Sequence, residues 1–298
     1  MVYLQSFTMP TDSQEVDFLV WDKRANMTAF NSRYPFGLFK GRELPEFFFD
    51  DVTIFYGNNG SGKSTILNVI AEKLGLNRTT PYNRTAFFDD YVNLSDYVLE
   101  KAIPKGSSII TSDGIFERVL DIRRVNEGID DRREELVREY IEEKTSEAPN
   151  LLRGLDDFDR WKRANEMRSP NRSQSAFLRK NLVRNLEERS NGESALAYFV
   201  DSIKANSLYL LDEPENSLSA TNQIQLKYFI EDSVRSFGCQ FIISTHSPFL
   251  LATEHATVYD IDSSPVKTRS WCELESVRAY YDFFKENEWR FNGRSSGK

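Results

Sequence analysis

The chain has 298 residues, 40% apolar and 13% aromatic, enough to bury a sizeable core and to exclude a disordered polypeptide. Its 38 basic and 46 acidic residues leave a formal charge of -8, which excludes wholesale coating by nucleic acid while leaving a local basic face open. Two histidines (His246, His255) and two cysteines (Cys239, Cys272) exclude a His-rich metal site, a zinc cluster and a disulfide framework. No run approaches the ~20 consecutive apolar residues that span a bilayer. The first twenty residues lack a basic start followed by an apolar stretch, so a cytoplasmic chain is expected.

In chain order, Val2 to Phe7 and Asp17 to Trp21 alternate in polarity and predict two short strands. The apolar cluster Phe47 to Phe49, then Val52 to Tyr56, reads as a strand ending on Gly57. Ile66, Leu67, Val69, Ile70 and Leu74 recur at helical spacing and predict a helix over 65–74, closed by Gly75. Residues 76–106 are polar, aromatic and turn-rich and read as irregular. Ser108 to Thr111 predicts a short strand, and residues 115–189 a helical subdomain without sustained heptads. Ser207 to Leu211, Cys239 to Ser244 and Val258 to Ile261 read as buried strands; Ala220 to Phe237 and Glu273 to Phe284 as helices. Strands alternating with helices imply an α/β fold with a mostly parallel sheet.

Gly57-Asn58-Asn59-Gly60-Ser61-Gly62-Lys63-Ser64, followed by Thr65, fits the phosphate-loop pattern in the context that gives it meaning, after a strand and opening a helix. Glycines let backbone N–H groups turn inward around phosphate oxygens, and the helix N-terminus adds positive charge. Lys63 is expected to reach the β and γ phosphates and Ser64 to ligate Mg²⁺. The apolar strand 208–211 delivers two carboxylates, Asp212 and Glu213. Asp212 suits the magnesium through water, and Glu213 suits the general base for an attacking water. Alone, the pair reads as a solvated strand end. His246 follows another buried strand, on the edge where open parallel sheets bind ligands, placed to meet the γ-phosphate; a lone histidine there is usually structural, but three strand ends with matching chemistry point to a functional one. Ser190, Asn191, Gly192 and Glu193 precede an apolar helix predicted over 195–203. By spacing alone they are a helix cap with Ser190 and Glu193 as a capping box.

The order of these elements resembles that of ATP-binding-cassette ATPases. It most resembles the small stand-alone soluble AAA-family ATPases of bacteria, kin to the heads of SMC-type chromosome-maintenance and recombination-repair ATPases and to the overcoming-lysogenization-defect ATPases. The likeness covers residues 50–72 and 186–262 well. It implies a P-loop NTPase fold of the ABC type with N-terminal antiparallel strands and an inserted helical subdomain at 115–189. It implies that Ser190, Asn191, Gly192 and Glu193 form a signature that meets ATP across a homodimer, with Asn191 departing from the family's usual glycine. It further implies that Glu215 to Leu218 cross the dimer interface and that His246 is the switch histidine. The family's magnesium-touching glutamine is missing, since no Gln occurs between Thr65 and Ser173. Ser112 or Asp113 are stand-ins, although Asp113-Gly114 reads as a plain turn.

From Arg160 to Arg189, nine basic residues face three acidic ones. A solvated helix face, a nucleic acid contact and an acidic protein partner all fit. Two function readings follow: an ATPase acting as a nucleotide-driven switch on DNA or an effector protein, in repair or anti-phage defence, or an ATP-dependent scaffold that turns over little and holds a toxin or nuclease. Asp260-Ile261-Asp262 is too little, too late in the chain, for a nuclease domain.

Overall fold

The computed structural model describes residues 1–27, 29–146, 158–168 and 191–292, with single positions 173, 175, 178 and 182. In chain order its strands and helices are β1 (Leu4–Thr8), α1 (Asp12–Trp21), β2 (Phe47–Phe48), β3 (Val52–Tyr56), α2 (Lys63–Lys73), α3 (Phe88–Leu94), β4 (Asp96–Leu99), β5 (Ser108–Thr111), α4 (Ser112–Thr145) and α5 (Phe158–Arg168). They continue with α6 (Asn191–Ser202), β6 (Leu208–Asp212), α7 (Ala220–Phe237), β7 (Gln240–Ser244), α8 (Pro248–Leu251), β8 (Thr257–Asp260), β9 (Lys267–Thr268), α9 (Glu275–Glu286) and α10 (Glu288–Phe291). Two compact units divide the chain: residues 1–116 with 190–298, and residues 117–189.

The first unit holds a six-stranded sheet in the order β5-β6-β7-β3-β8-β9, parallel except for β9. Both faces of its inner strands are buried, which explains their unbroken apolar runs. In β6, Leu208 and Leu210 point to one core with Phe55, Ile66, Ile70 and Ile242. Tyr209 and Leu211 point to the other with Ile54, Phe199, Phe241 and Leu250. Each such side chain contributes about 1.5–3 kcal/mol by leaving water. A second, antiparallel sheet has the order β2-β1-β4. The buried Gln240 ties it to the first: Oε1 accepts the N–H groups of Tyr3 and Leu4, and Nε2 donates to the carbonyls of Leu4 and Asp50. All four groups of the amide are thereby satisfied, as burial demands.

Several local expectations need correction. Residues 17–21 are not a strand but the end of helix α1, which Thr11 opens: its hydroxyl accepts from the N–H of Gln14, whose side chain accepts from the N–H of Thr11. That reciprocal cap outweighs the apparent alternation, and Val16, Val20 and Trp21 are exposed. The run 47–56 is two strands in different sheets, broken at Asp50 and Asp51. Within 76–106, read as irregular, lie α3, which buries Phe88, Tyr91 and Val92 at helical spacing, and β4, a four-residue strand whose Asp96, Tyr97 and Val98 are all exposed and so show no buried-exposed alternation. Asp113-Gly114 is not a turn but the first turn of α4.

In the second unit, Leu136, Tyr140 and Met167 form a small core joined by Leu178 and Leu182. Arg168 pairs with Glu143 at 2.8 Å. Arg160, Lys162 and Arg163 lie on α5, whereas Arg172, Arg179, Lys180, Arg184 and Arg189 fall outside the described residues. Among the described residues no helix is long and apolar enough to cross a membrane.

Candidate functional site

The register of the main sheet sets the site. Thr111 of β5 stands beside Asp212 of β6, Asp212 beside Ser244 of β7, and Ser244 beside Phe55 of β3. Four parallel strands therefore end level, and the segments that leave them share one edge. Those segments hold the phosphate loop, the start of α4, the Asp212–Glu213 pair and the His246 turn.

The loop from Gly57 turns into α2 through Gly60 (φ 80°) and Gly62 (φ 101°), left-handed conformations that favour glycine. A side chain at Gly62 would meet the Phe39 ring at 2.4 Å, and one at Gly57 the Ser61 hydroxyl at 2.8 Å. Lys63 is buried, and its Nζ donates to the carbonyls of Gly57 and Asn58 at 2.8 and 3.1 Å. Burial pulls its pKa down, opposed by Glu213, 3.9 Å away. Two contacts outside the motif hold the loop. The guanidinium of Arg42 donates to the Ser61 carbonyl, and Asp262 accepts the N–H of Asn58 at 2.6 Å.

Across the cleft, Ser64 Oγ donates to Asp212 Oδ1 at 2.9 Å, and Ser244 Oγ donates to the same oxygen. Desolvation raises the Asp212 pKa, and these two hydroxyls work against it. Glu213 sits in a left-handed conformation (φ 47°, ψ 52°), rare for a residue with a side chain and typical of strained functional positions. His246 Nε2 lies 3.1 Å from its Oε1, and Asn216 Nδ2 donates to its Oε2 at 2.9 Å. The contact with His246 is the main reason its pKa falls to about 2, with Asn216 and Lys63 adding to the shift. The N–H of His246 donates to Glu215 Oε1 at 2.6 Å, which locks the turn after β7 to the turn after β6.

The sheet edge thus brings together Lys63, Ser64, Asp212 and Glu213 around a cleft of about 570 Å³, with Thr111, Ser112 and Asp113 on another wall. His246 touches Glu213, and lines with Asn58 and Asn59 a neighbouring cleft. Ser190 lies outside the described residues; Asn191, Gly192 and Glu193 open α6, described here for their backbone only. Sequence reasoning missed Tyr34, Arg42, Arg78 and Tyr82, whose neighbours in sequence carry no motif and which only the fold brings to the loop and its cleft. It considered Asn216 only as part of a dimer-crossing loop and Asp262 only as part of a nuclease pair, whereas they contact Glu213 and the N–H of Asn58.

The residues present fit a magnesium nucleotide. Ser61 Oγ and Arg78 Nη1 are buried without a hydrogen-bond partner, and both are donors beside or within the loop. The closely packed glycines leave the backbone free to approach phosphate. Ser64 and Asp212 offer two oxygens, matching an ion that keeps water and phosphate as its other ligands. Among the described residues no cluster of three His, Cys, Asp or Glu could hold a metal by itself.

A family model described as "AAA domain, putative AbiEii toxin, Type IV TA system" matches residues 52–252. No curated protein matches the chain. Among solved structures, the Smc head domain of Pyrococcus furiosus with an extended coiled coil, bound to the C-terminal domain of ScpA, is 15% identical, with 97% of this chain and 100% of that chain covered and a TM-score of 0.44. The SMC head domain of Thermotoga maritima is 16% identical, with coverage of 76% and 92% and a TM-score of 0.32. An ATP-binding cassette in a dimeric post-hydrolysis state, bound to ADP and Pi, is 13% identical, with coverage of 77% and 90% and a TM-score of 0.33.

Proposed function

Because the chain belongs to this family of AAA domains, we propose that it binds Mg-ATP in the cleft at the sheet edge and hydrolyses it as a nucleotide-driven switch. The observation that carries the reading is the convergence of Lys63, Ser64, Asp212 and Glu213 on one cleft, with His246 held against Glu213.

Gly57 to Thr65 cradle the phosphates, and Lys63 exchanges the carbonyls of Gly57 and Asn58 for phosphate oxygens. Ser64 and Asp212 hold magnesium, which supplies neutralising charge on the phosphate chain. Glu213 takes the proton from the attacking water. His246 and Asn216 fix the Glu213 carboxylate, and Glu215 keeps the histidine in place. The stretch at 115–189 serves as an inserted helical subdomain. Two chains pair head to tail, each closing the other's site with Ser190, Asn191, Gly192 and Glu193. The family description names a toxin of a type IV toxin–antitoxin system; accordingly we assign the switch to defence, acting in the cytoplasm on DNA or on an effector protein. The basic residues of 160–189 are the proposed contact for nucleic acid or an acidic partner.

A second reading, an ATP-held scaffold with little turnover for a toxin or nuclease partner, draws on one observation. Glu213 is engaged by His246 and Asn216 and its pKa is depressed to about 2, which makes it a weak base in the resting chain. Titration calorimetry with Mg-ATP tests the common ground: the wild type binds and Lys63→Ala loses tight binding. Equal affinities would remove the phosphate-loop assignment. Phosphate release by the wild type then separates switch from scaffold.

A further inference from the structure

We propose that Arg78 is a second phosphate-binding cation of this cleft, gripping the polyphosphate chain of the nucleotide on the side of Ser64. The proposal rests on the nucleotide reading of the site and adds a residue that no phosphate-loop pattern contains.

Arg78 follows α2 and is fastened to it twice. Its Nη2 donates to Asn68 Oδ1 at 2.6 Å. Its guanidinium lies 4.0 Å from the centre of the Tyr82 ring, and the Tyr82 hydroxyl donates to Glu72 Oε2 at 2.9 Å. Asn68 and Glu72 are both residues of α2. Asn68 lies four positions after Ser64, and residues at that spacing share a helix face. The guanidinium is therefore held on the face of α2 that carries Ser64, and Arg78, Asn68, Ser64 and Asp212 line the same cleft.

The arrangement leaves one strong donor unused. Nη1 of Arg78 is buried with no hydrogen-bond partner. A buried guanidinium nitrogen without an acceptor is costly, and such groups in native proteins call for an explanation. An oxygen of a polyphosphate supplies one: it accepts a charge-assisted hydrogen bond from a planar fork already fixed by stacking. Burial pulls the Arg78 pKa down, as expected for a cation lacking a close anion.

Charge in the cleft points the same way. Among the described lining residues, Asp113, Asp212 and Glu213 are acidic, and Lys63 and Arg78 are basic. Lys63 alone against three carboxylates leaves the cleft hostile to a polyanion. It is also already bound to two loop carbonyls. Arg78 reduces the imbalance and has a donor to give.

Titration calorimetry with Mg-ATP and, separately, with inorganic tripolyphosphate tests the assignment on the full chain. Arg78→Gln is expected to weaken both ligands about ten- to a hundredfold, with the circular dichroism spectrum unchanged. Arg78→Lys, which keeps charge but loses the fork and the stack, is expected to recover part of the affinity. If Arg78→Gln does not fold, Arg78→Lys decides, because the proposal requires it to bind more weakly than wild type. A wild type that binds Mg-ATP, with a folded Arg78 variant of equal affinity, overturns this proposal and leaves the nucleotide reading standing. A wild type that binds neither ligand overturns both.

Discussion

His246 Nε2 lies 3.1 Å from Glu213 Oε1, while the backbone N–H of the same histidine donates to Glu215 Oε1 at 2.6 Å. One residue thus fixes both the carboxylate proposed as base and the turn that presents it. The ring contact is the leading cause of the low Glu213 pKa, about 2 against an ordinary 4.5.

The sign of that shift gives a first prediction. A carboxyl whose pKa is depressed on folding contributes stability that is present above its unfolded pKa and lost as pH falls through its folded value. The contribution of Glu213 should therefore hold above about pH 4.5 and fade towards pH 2. Because Glu213 is partly exposed to solvent, its size is modest. In His246→Ala, an NMR titration of the Glu213 carboxyl should show its midpoint moving up towards the ordinary carboxylate range. A midpoint unmoved from that of the wild type would show that His246 does not hold the carboxylate.

Gly62 gives a second prediction. It combines φ 101° with the Phe39 ring at 2.4 Å from any added Cβ. Gly62→Ala should lose about 1–2 kcal/mol from backbone strain alone, with the clash adding more, and should distort the phosphate cradle. Urea denaturation and Mg-ATP titration should both register the change. Pairing it with Phe39→Leu should relieve only the clash, leaving the strain.

The third prediction concerns pairing of two chains. Lys63→Ala and Ser190→Arg should each be inactive alone. Mixed, they form one composite site with an intact phosphate loop and an intact signature, and part of the ATPase activity should return. If Ser190 only caps a helix, Ser190→Arg costs about 1 kcal/mol of stability and turns over ATP normally as a monomer.

How much of this was legible in the sequence follows from what each residue's signal depends on. Gly57 to Ser64 and Asp212-Glu213 stood out because a phosphate cradle and a strand-end acid pair need fixed types at fixed spacing. β6 and β7 stood out because strands buried on both faces are unbroken apolar runs. The family resemblance read from the order of these motifs agrees with the family model over residues 52–252. β4 was illegible because its exposed residues pair with β1 through backbone groups, which any sequence supplies. Helix α1 was misread because Phe18, Leu19, Val20 and Trp21 form a short apolar run that resembles a strand, although Thr11 and Gln14 carried the capping signal. Arg42 and Asp262 hold the loop from 19 and 204 residues away along the chain, Arg78 reaches its cleft from beyond α2, and no local pattern encodes such contacts.

The central claim is that Glu213 is the base of an ATP-hydrolysing cleft, and one comparison tests it most directly: Mg-ATP binding and phosphate release measured side by side in the wild type and Glu213→Gln. An amide cannot take the proton from water. Binding should therefore persist while turnover falls by about a hundredfold or more. A Glu213→Gln chain that releases phosphate at the wild-type rate would contradict the account.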